Sequence, residues 1–423
     1  MVQKSKTHPW TWIPSLYFAE GLPYAFVMLV SVIMYKKLGL SNTDIALYTS
    51  WLYLPWVIKP LWSPIVDIFR TKRFWIVIMQ VLIGAGLAGV AFTIPSSDPL
   101  KYTMAFFWLL AFSSATHDIA ADGFYMHALS SHDQSWMIGI RNTFYRFAIL
   151  FGQGLLVIFA GKMEILTGSV TTAWSITFWI LGGLFILLSI YHLWILPSPS
   201  SDHKHSDLTL SEAVHNFFHI FISFFKKPKI GIVIIFILLY RFGEAQLVKI
   251  APLFMLDTVE AGGLGLTTIE LGFATGTLGM IMLTIGGITG GFFAAKHGLK
   301  IWIFWMALAM KLPDIVYVFM AWSQPESYLL ISTFIAIEQF GYGFGFTAYL
   351  LYMMMVADGE HKTAHYAICT GFMALGMMIP GMFSGVLQES IGYYHFFIWV
   401  MIATIPGLIL IKYLPMDSNF GKK

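Results

Sequence analysis

The sequence has little charge and almost no cysteine. Charged residues make up 11% of the 423 positions, whereas soluble domains usually contain about 25%. So few charges cannot cover a water-facing surface, which excludes an ordinary soluble protein. Cys369 is the one cysteine, which excludes an internal disulfide and a cysteine-rich metal site. The net charge is only +3 and no long basic tract is present, which argues against nucleic-acid binding.

Long apolar runs fill most of the chain. Hydrophobic residues make up 57% of it and aromatic residues 17%, and a helix needs about 20 apolar residues to cross a bilayer. Six such runs precede a polar stretch and six follow it, which predicts an all-α polytopic membrane protein with 12 transmembrane helices in two six-helix bundles. Residues 1–197 form the predicted N-terminal bundle, 198–229 a cytoplasmic central loop and 230–423 the C-terminal bundle.

The distribution of basic residues predicts how the chain is oriented. Cytoplasmic connections carry more Lys and Arg than external ones. With the N-terminus inside, 15 Lys and Arg residues fall on the inner side and four on the outer side, and the other six lie within the apolar runs. Both termini and the central loop are therefore expected in the cytoplasm.

Charged residues interrupt the apolar runs, and they are the first candidates for function. A charge at the middle of a bilayer costs about 2.5–3.5 kcal/mol, so such side chains are expected to face protein or water. On the fourth predicted helix, Asp118 and Asp122 lie one turn apart, with Tyr125 on the same face. Two carboxylates so placed repel each other, so one of them can carry a proton. Alternatively, a cation such as Arg141 or Arg146 on the fifth helix keeps each one ionised.

Acidic residues and tyrosines recur together on four predicted helices, the first, fourth, seventh and tenth. Such faces are more often simple packing, but interleaved charge favours a sugar-like ligand, whose C–H faces stack on rings while its hydroxyls bond to polar groups. The expected proton-coupling residues are Glu20, Asp118, Asp122, Glu244 and Glu338. The expected substrate-binding residues are Lys59, Arg141, Arg146, Arg241, Tyr17, Tyr24, Tyr125, Tyr145, Tyr240, Tyr342, Tyr349 and His117.

The two halves also look like copies of one unit. A short basic connection joins the second and third helices of each half, at 67–73 and 296–300, and each fourth helix carries a polar pair. Two six-helix halves with a cytoplasmic linker resemble the major facilitator superfamily, whose site lies at the midplane between the halves. The first connection resembles the loop signature of that superfamily without its usual Gly spacing. This resemblance makes Asp67, Arg70 and Arg73 the expected gate residues.

Short sequence motifs indicate which family within the superfamily the chain resembles. The segment Glu20–Pro23 resembles the Gly-Leu-Pro entry of AmpG-type muropeptide permeases. The segment Asp118–Asp122 resembles their Asp-Ile-Ala-x-Asp motif, which the acetyl-CoA transporter family shares. The segment Leu54–Asp67 is similar to the Pro, Lys, Trp-x-Pro and Asp run of the same family, and Tyr240–Glu244 is similar to its helix 7 segment. The second half resembles AmpG-like proteins of a Bacteroidota subgroup.

The resemblance implies a secondary active transporter of the bacterial inner membrane. Its expected activity is proton-coupled import of an amino-sugar compound, such as an anhydromuropeptide released in wall recycling. It makes Asp118 and Asp122 the leading functional residues, with Lys59 beside them. The chain departs from the family at His117, where members often have Gln, and in having twelve helices where some members carry two more. The expected partners are the lipid bilayer and a saccharide or muropeptide, with no nucleic acid, no metal, no cofactor besides the coupling proton, and a monomeric state.

Other functions remain open on the sequence alone. A transporter of this fold could instead import another oligosaccharide, a siderophore or an acyl-CoA-like substrate. A membrane-embedded acyltransferase using His117 and Asp118 is less favoured, because the sequence has no nucleophile elbow, no HExxH motif and no metal-ligand set. The sequence therefore predicts a transporter and not an enzyme.

Overall fold

A computed structural model describes residues 8–129, 131–198, 210–359, 361–417 and 420, and these residues form helices and turns without a strand. The first half contains α1 at Pro9–Lys37, α2 in three pieces at Asn42–Trp51, Leu54–Ile58 and Ser63–Ile68, α3 at Lys72–Thr93, α4 at Pro99–Ala128, α5 at Ser131–Leu150 with continuations Phe151–Leu156 and Val157–Thr167, and α6 at Val170–Ile195. The second half contains α7 at Leu210–Phe225, α8 at Ile230–Leu256, α9 at Thr268–His297, α10 at Leu299–Ser323, α11 at Tyr328–Ala357, α12 at Lys362–Ala403 and α13 at Ile405–Leu410.

The helices account for the predicted 12 membrane crossings. Among the described residues, nine helices are long and apolar enough to span a bilayer. The last of these covers Ala364–Tyr413 and bends at Gly392, whose φ of 75° is not helical, so it provides two crossings. The broken helix α2 and the more polar helix α4 add the remaining two. The predicted fold class is therefore confirmed.

Prolines break α2 into short pieces. Pro55 lies in the second piece, Pro60 in the tight turn Lys59–Leu61, and Pro64 at the start of the third piece. Proline has no backbone N–H and its ring crowds the preceding turn, so a regular helix cannot continue through these positions. The break places Lys59 at the junction between two pieces.

The chain divides into two compact units. The first comprises the described residues up to Met34 together with the described part of Ile58–Phe217, and the second comprises Tyr35–Val57 together with the described part of Phe218–Lys423. In the first unit α1 packs on α5, and α3 packs on α4 and α6. In the second unit α8 packs on α12, and α11 packs on α9 and α10. The pairs α1–α5 and α3–α4 thus recur as α8–α12 and α10–α11, as a duplicated unit requires. The Asn42–Trp51 piece of α2 packs on α12 in the second unit.

Glycines allow the helices of the second unit to approach closely, as their four-residue spacing predicts. A Cβ on Gly286 would lie 2.1 Å from the carbonyl oxygen of Phe340, and one on Gly290 would lie 2.6 Å from that of Phe344. On the other side of α11, a Cβ on Gly341 would lie 2.2 Å from a carbonyl oxygen of α10. In lipid, helix association depends on this kind of backbone contact.

The predicted central loop contains a helix that the sequence reading missed. In the part of α7 that belongs to the second unit, Phe224 is fully buried and stacks on Phe372 at 6.4 Å between ring centroids. Phe218 and Ile222 lie on its exposed side. The high average polarity of 198–229 hides the 3.6-residue period within 210–225.

Two alanine substitutions on α9 test the close packing. Gly286→Ala places a methyl group against backbone, where nothing can move aside, so we expect a loss of about 1–3 kcal/mol from overpacking. Gly291→Ala is the matched control, because its Cβ would meet nothing within 4 Å. Thermal unfolding of the purified protein in detergent measures both. Equal melting temperatures for the two variants would contradict the packing described.

Candidate functional site

Two ion pairs on α4 bring together residues from three helices of the first unit. The Nζ atom of Lys59 lies 3.7 Å from Oδ2 of Asp118. The Nη2 atom of Arg141 lies 2.6 Å from Oδ1 of Asp122. The structure therefore favours the alternative in which a cation holds each aspartate ionised. Lys59, which comes from the break in α2, is the partner of Asp118. The family resemblance predicts Lys59 beside the two aspartates, whereas helical spacing offered only the arginines of α5 as their cations.

Two tyrosines enclose the Arg141 guanidinium. Its central carbon lies 4.5 Å from the ring centroid of Tyr17 and 5.4 Å from that of Tyr125, distances at which a cation is attracted to a ring face. The hydroxyl of Tyr17 also donates to Oδ1 of Asp122 at 3.4 Å. Both rings are buried, which fixes the geometry of the ion pair.

Glu20 is the unpaired acid of this group. It is 6% exposed, and its Oε2 atom is buried without a hydrogen-bond partner among the described residues. It interacts electrostatically with Asp122, Asp118, Arg141 and Lys59, which places it in the same group of charges. We call these five residues, Glu20, Lys59, Asp118, Asp122 and Arg141, the first charged cluster. It holds three carboxyl groups and two cations.

The other predicted residues of α1 and α5 differ in position: Tyr145 and Tyr24 lie near the first charged cluster, whereas Arg146 is exposed. Tyr145 interacts electrostatically with Asp118, Tyr24 and Glu20, so the structure brings both tyrosines beside the first charged cluster. Gly21 allows this approach, because a Cβ there would lie 2.7 Å from the carbonyl oxygen of Tyr145. Arg146 is exposed on α5 and forms no ion pair within the described part of the chain.

His117 belongs to a separate buried chain of hydrogen bonds. Its Nε2 atom lies 2.9 Å from Nε2 of Gln80, whose Oε1 atom lies 2.9 Å from Nδ1 of His192. The Nε2 atom of His192 in turn lies 2.9 Å from the hydroxyl of Ser15. Gln80, His117 and His192 are fully buried, so this chain links α3, α4, α6 and α1. Gln80 and His192 were not predicted, because their hydrogen-bond partners are far apart in the sequence.

A second charged group lies at a break in α8. Helix α8 loses its regular backbone at Arg241, where φ is −106° and ψ is 15°. The guanidinium pairs with Glu244 at 2.6 Å and donates to the hydroxyl of Tyr342 at 2.8 Å. It also lies 4.9 Å from the ring centroid of Phe346. The predicted i,i+3 pair and the Tyr342 contact thus form one buried site.

Two predicted tyrosines serve packing in this structure. Tyr240 and Tyr349 stack at 4.7 Å between centroids with an angle of 7° between their planes. Their hydroxyls donate to backbone carbonyls, Tyr240 to Gly345 at 3.0 Å and Tyr349 to Ile237 at 2.7 Å. Both residues are fully buried. Their polar ends are therefore engaged within the second unit.

Acids and a lysine complete the second charged group. Glu338 is 4% exposed, accepts from the side chain of Gln339 at 2.9 Å and lies 3.5 Å from the hydroxyl of Tyr317. Lys311 donates to the carbonyl oxygen of Tyr240 and interacts with Glu244 and Asp314. We call Arg241, Glu244, Lys311, Asp314 and Glu338 the second charged cluster. Tyr317 was not predicted, because its contact with Glu338 joins two helices and residue spacing along one helix cannot reveal it.

The predicted gate residues lie at the α2–α3 connection. Arg70 has a left-handed backbone with φ of 67°, and its guanidinium carbon lies 5.6 Å from the ring centroid of Phe74. Arg73 donates to the hydroxyl of Ser198 at 2.5 Å and to the carbonyl oxygen of Leu193, which ties α3 to the end of α6. The side chain of Asp67 falls outside the described part of the structure. A gating role for the three residues stays a prediction.

Comparison with known proteins agrees with this architecture. The sequence profile of the Major Facilitator Superfamily matches residues 15–354, which is most of the chain.

The chain belongs to the Major Facilitator Superfamily.

Several proteins that this chain is similar to are transporters by name. The anhydromuropeptide permease of Escherichia coli K12 is 24% identical over 417 residues, covering 95% of this chain and 80% of the permease. Among solved structures, the nucleoside transporter NupG aligns with a TM-score of 0.71 at 14% identity, covering 95% of this chain and 97% of that one. A D-xylose-proton symporter aligns with a TM-score of 0.70 at 14% identity over 98% of both chains. The predicted AmpG-like resemblance is confirmed, and the chain is a membrane transporter, not an enzyme.

The buried chain through Gln80 generates a stability prediction. Gln80→Leu removes the partner of Nε2 of His117 and of Nδ1 of His192, and each unsatisfied buried polar group costs about 1–3 kcal/mol. We expect a clear drop in the melting temperature of the purified protein. The neighbouring Val81→Ala is the control, because Val81 is 40% exposed and forms no part of the hydrogen-bond chain. If both variants melted at the same temperature, the hydrogen-bond chain would contribute nothing.

Proposed function

We propose that this superfamily member is a proton-coupled symporter that imports an amino-sugar compound, such as an anhydromuropeptide, across the bacterial inner membrane. The observation that carries the coupling proposal is the charge of the first cluster. Lys59 and Arg141 neutralise Asp118 and Asp122, and no further cation among the described residues pairs with the buried Glu20. One proton on Glu20 balances the cluster.

The energetic argument for coupling follows from burial. An isolated carboxylate removed from water costs many kcal/mol unless it is paired, hydrogen-bonded or protonated. A conformation that buries Glu20 is therefore linked to proton binding, whereas one that opens the cluster to water tolerates the ionised form. A substrate that favours the same conformation as the proton is coupled to it, because the two ligands then share one equilibrium.

The proposed substrate class rests on two kinds of support. The anhydromuropeptide permease aligns with almost the whole chain, though at 24% identity. The first charged cluster also combines ring faces of Tyr17 and Tyr125 with charged groups, the combination that suits a ligand with both sugar and carboxylate parts. Another oligosaccharide, a siderophore or an acyl-CoA-like molecule is the rival substrate. Competition against labelled anhydromuropeptide uptake separates these classes.

Neutralising Glu20 tests the coupling. In proteoliposomes with a clamped membrane potential and a pH gradient of about one unit, one-to-one symport accumulates substrate up to about tenfold. We expect Glu20→Gln to abolish this accumulation while substrate exchange across the membrane continues, because the amide mimics the neutral acid. The readout is labelled anhydromuropeptide uptake compared with counterflow.

Glu164→Gln is the matched control for that experiment. Glu164 is an acid of the same unit that accepts from Trp174 at 2.9 Å, away from the first charged cluster. This variant should accumulate substrate like the unchanged protein. Undiminished gradient-driven accumulation by Glu20→Gln would remove Glu20 from the coupling mechanism.

A further inference from the structure

Lys249 is a buried cation without an acidic partner. It lies on α8, seven residues before Leu256, which places it about 10 Å from the end of the helix at 1.5 Å per residue. The residue is 1% exposed. Within the described part of the second unit, Arg241 pairs with Glu244 and Lys311 interacts with Glu244 and Asp314, but no carboxylate pairs with Lys249.

The groups around the Lys249 ammonium are neutral. Its Nζ atom donates to the hydroxyl of Thr49 at 2.9 Å and lies 5.4 Å from the ring centroid of Tyr53. The Thr49 hydroxyl in turn donates to the carbonyl oxygen of Ile45 at 2.6 Å. An ammonium has three N–H donors, and this arrangement gives one of them a hydrogen bond. A buried charge held in this way lacks the compensation that membrane interiors normally demand.

A second polar group nearby also lacks a partner. Ser50 is fully buried, and its hydroxyl forms no hydrogen bond with any described residue. The Ser50 hydroxyl and the aliphatic part of the Lys249 side chain face the same glycine of α12. A Cβ on Gly381 would lie 2.6 Å from the Ser50 Oγ atom and 3.5 Å from Cγ of Lys249. The Ser50 hydroxyl and the Lys249 side chain therefore pack against one glycine, and Ser50 directly follows Thr49, the residue that holds the ammonium.

We propose that Lys249 and Ser50 form a subsite for a carboxylate of the transported substrate. The two oxygens of a carboxylate supply the acceptors that the ammonium and the hydroxyl lack, and its charge neutralises Lys249. The subsite is closed in this structure, so the anion enters when the Asn42–Trp51 piece of α2 moves away from α8 and α12. This inference rests on the proposed function, because it assigns a part of the proposed amino-sugar substrate.

A pair of sugars isolates the carboxylate. N-acetylmuramic acid and N-acetylglucosamine share the same ring and acetamido group, and only the first carries a lactyl carboxylate. Binding to the purified protein is measured by ligand-induced shifts in melting temperature across a concentration series. A charge-assisted hydrogen bond is worth enough to predict at least a tenfold preference for the acid. The absence of any preference in the unchanged protein would overturn the proposal.

Variants then test which residues cause the preference for N-acetylmuramic acid. Lys249→Met should remove it, Lys249→Arg should keep it, and Ser50→Ala should lower it several-fold without loss of folding, because Ser50 forms no hydrogen bond with a described residue. Thr49→Val is the matched control: it removes the neutral partner of the ammonium but keeps the charge, so the preference should persist. A preference that survives in Lys249→Met, or that disappears equally in Thr49→Val, would contradict the subsite.

The two proposals fail separately. A Lys249-dependent preference for the acid, without gradient-driven accumulation of anhydromuropeptide, would leave the subsite standing and remove the proposed symport. Accumulation that depends on Glu20, with equal binding of both sugars, would leave the symport standing and remove the subsite.

Discussion

An ionised side chain in an apolar solvent is the constraint on which the rest of this structure depends. Each such group costs several kcal/mol unless other groups compensate for it, so the charges within the membrane-spanning helices gather into clusters. The first cluster joins α1, α4 and α5 through Glu20, Asp122 and Arg141. The second joins α8, α10 and α11. The helix breaks at Lys59 and Arg241 also lower the cost of burying charge, because each break places a cation beside an acid.

In each unit one buried charged group lacks a full set of partners among the described residues, and the proposed function depends on these two groups. In the first unit the excess group is an acid, Glu20, which suits a proton. In the second unit Lys249 stands apart from the acids, and it suits an anion. If the buried charges served only to form structural ion pairs, both Glu20 and Lys249 would be expected to have a partner of opposite charge. These two groups support the proposals that a proton binds at Glu20 and an anion at Lys249.

Much of the fold follows from sequence patterns, but the partners of the charges do not. Run lengths predict the crossings, and four-residue glycine spacing predicts the close helix contacts, because both depend on local geometry alone. Helical spacing also places Asp118 and Asp122 on one face. It cannot tell which cation reaches which acid: Lys59 pairs with Asp118, whereas Arg146 is exposed. Those outcomes depend on the α2 break and on which face of α5 packs inward, and both are tertiary properties.

The most direct test of the account is whether substrate carries protons with it. Proteoliposomes that contain the purified protein, with no initial pH gradient and the membrane potential clamped, receive anhydromuropeptide outside while external pH is recorded. Symport predicts an alkaline shift that scales with the substrate gradient and disappears when an uncoupler is present. Substrate entry at the same rate with no change in external pH would contradict the account.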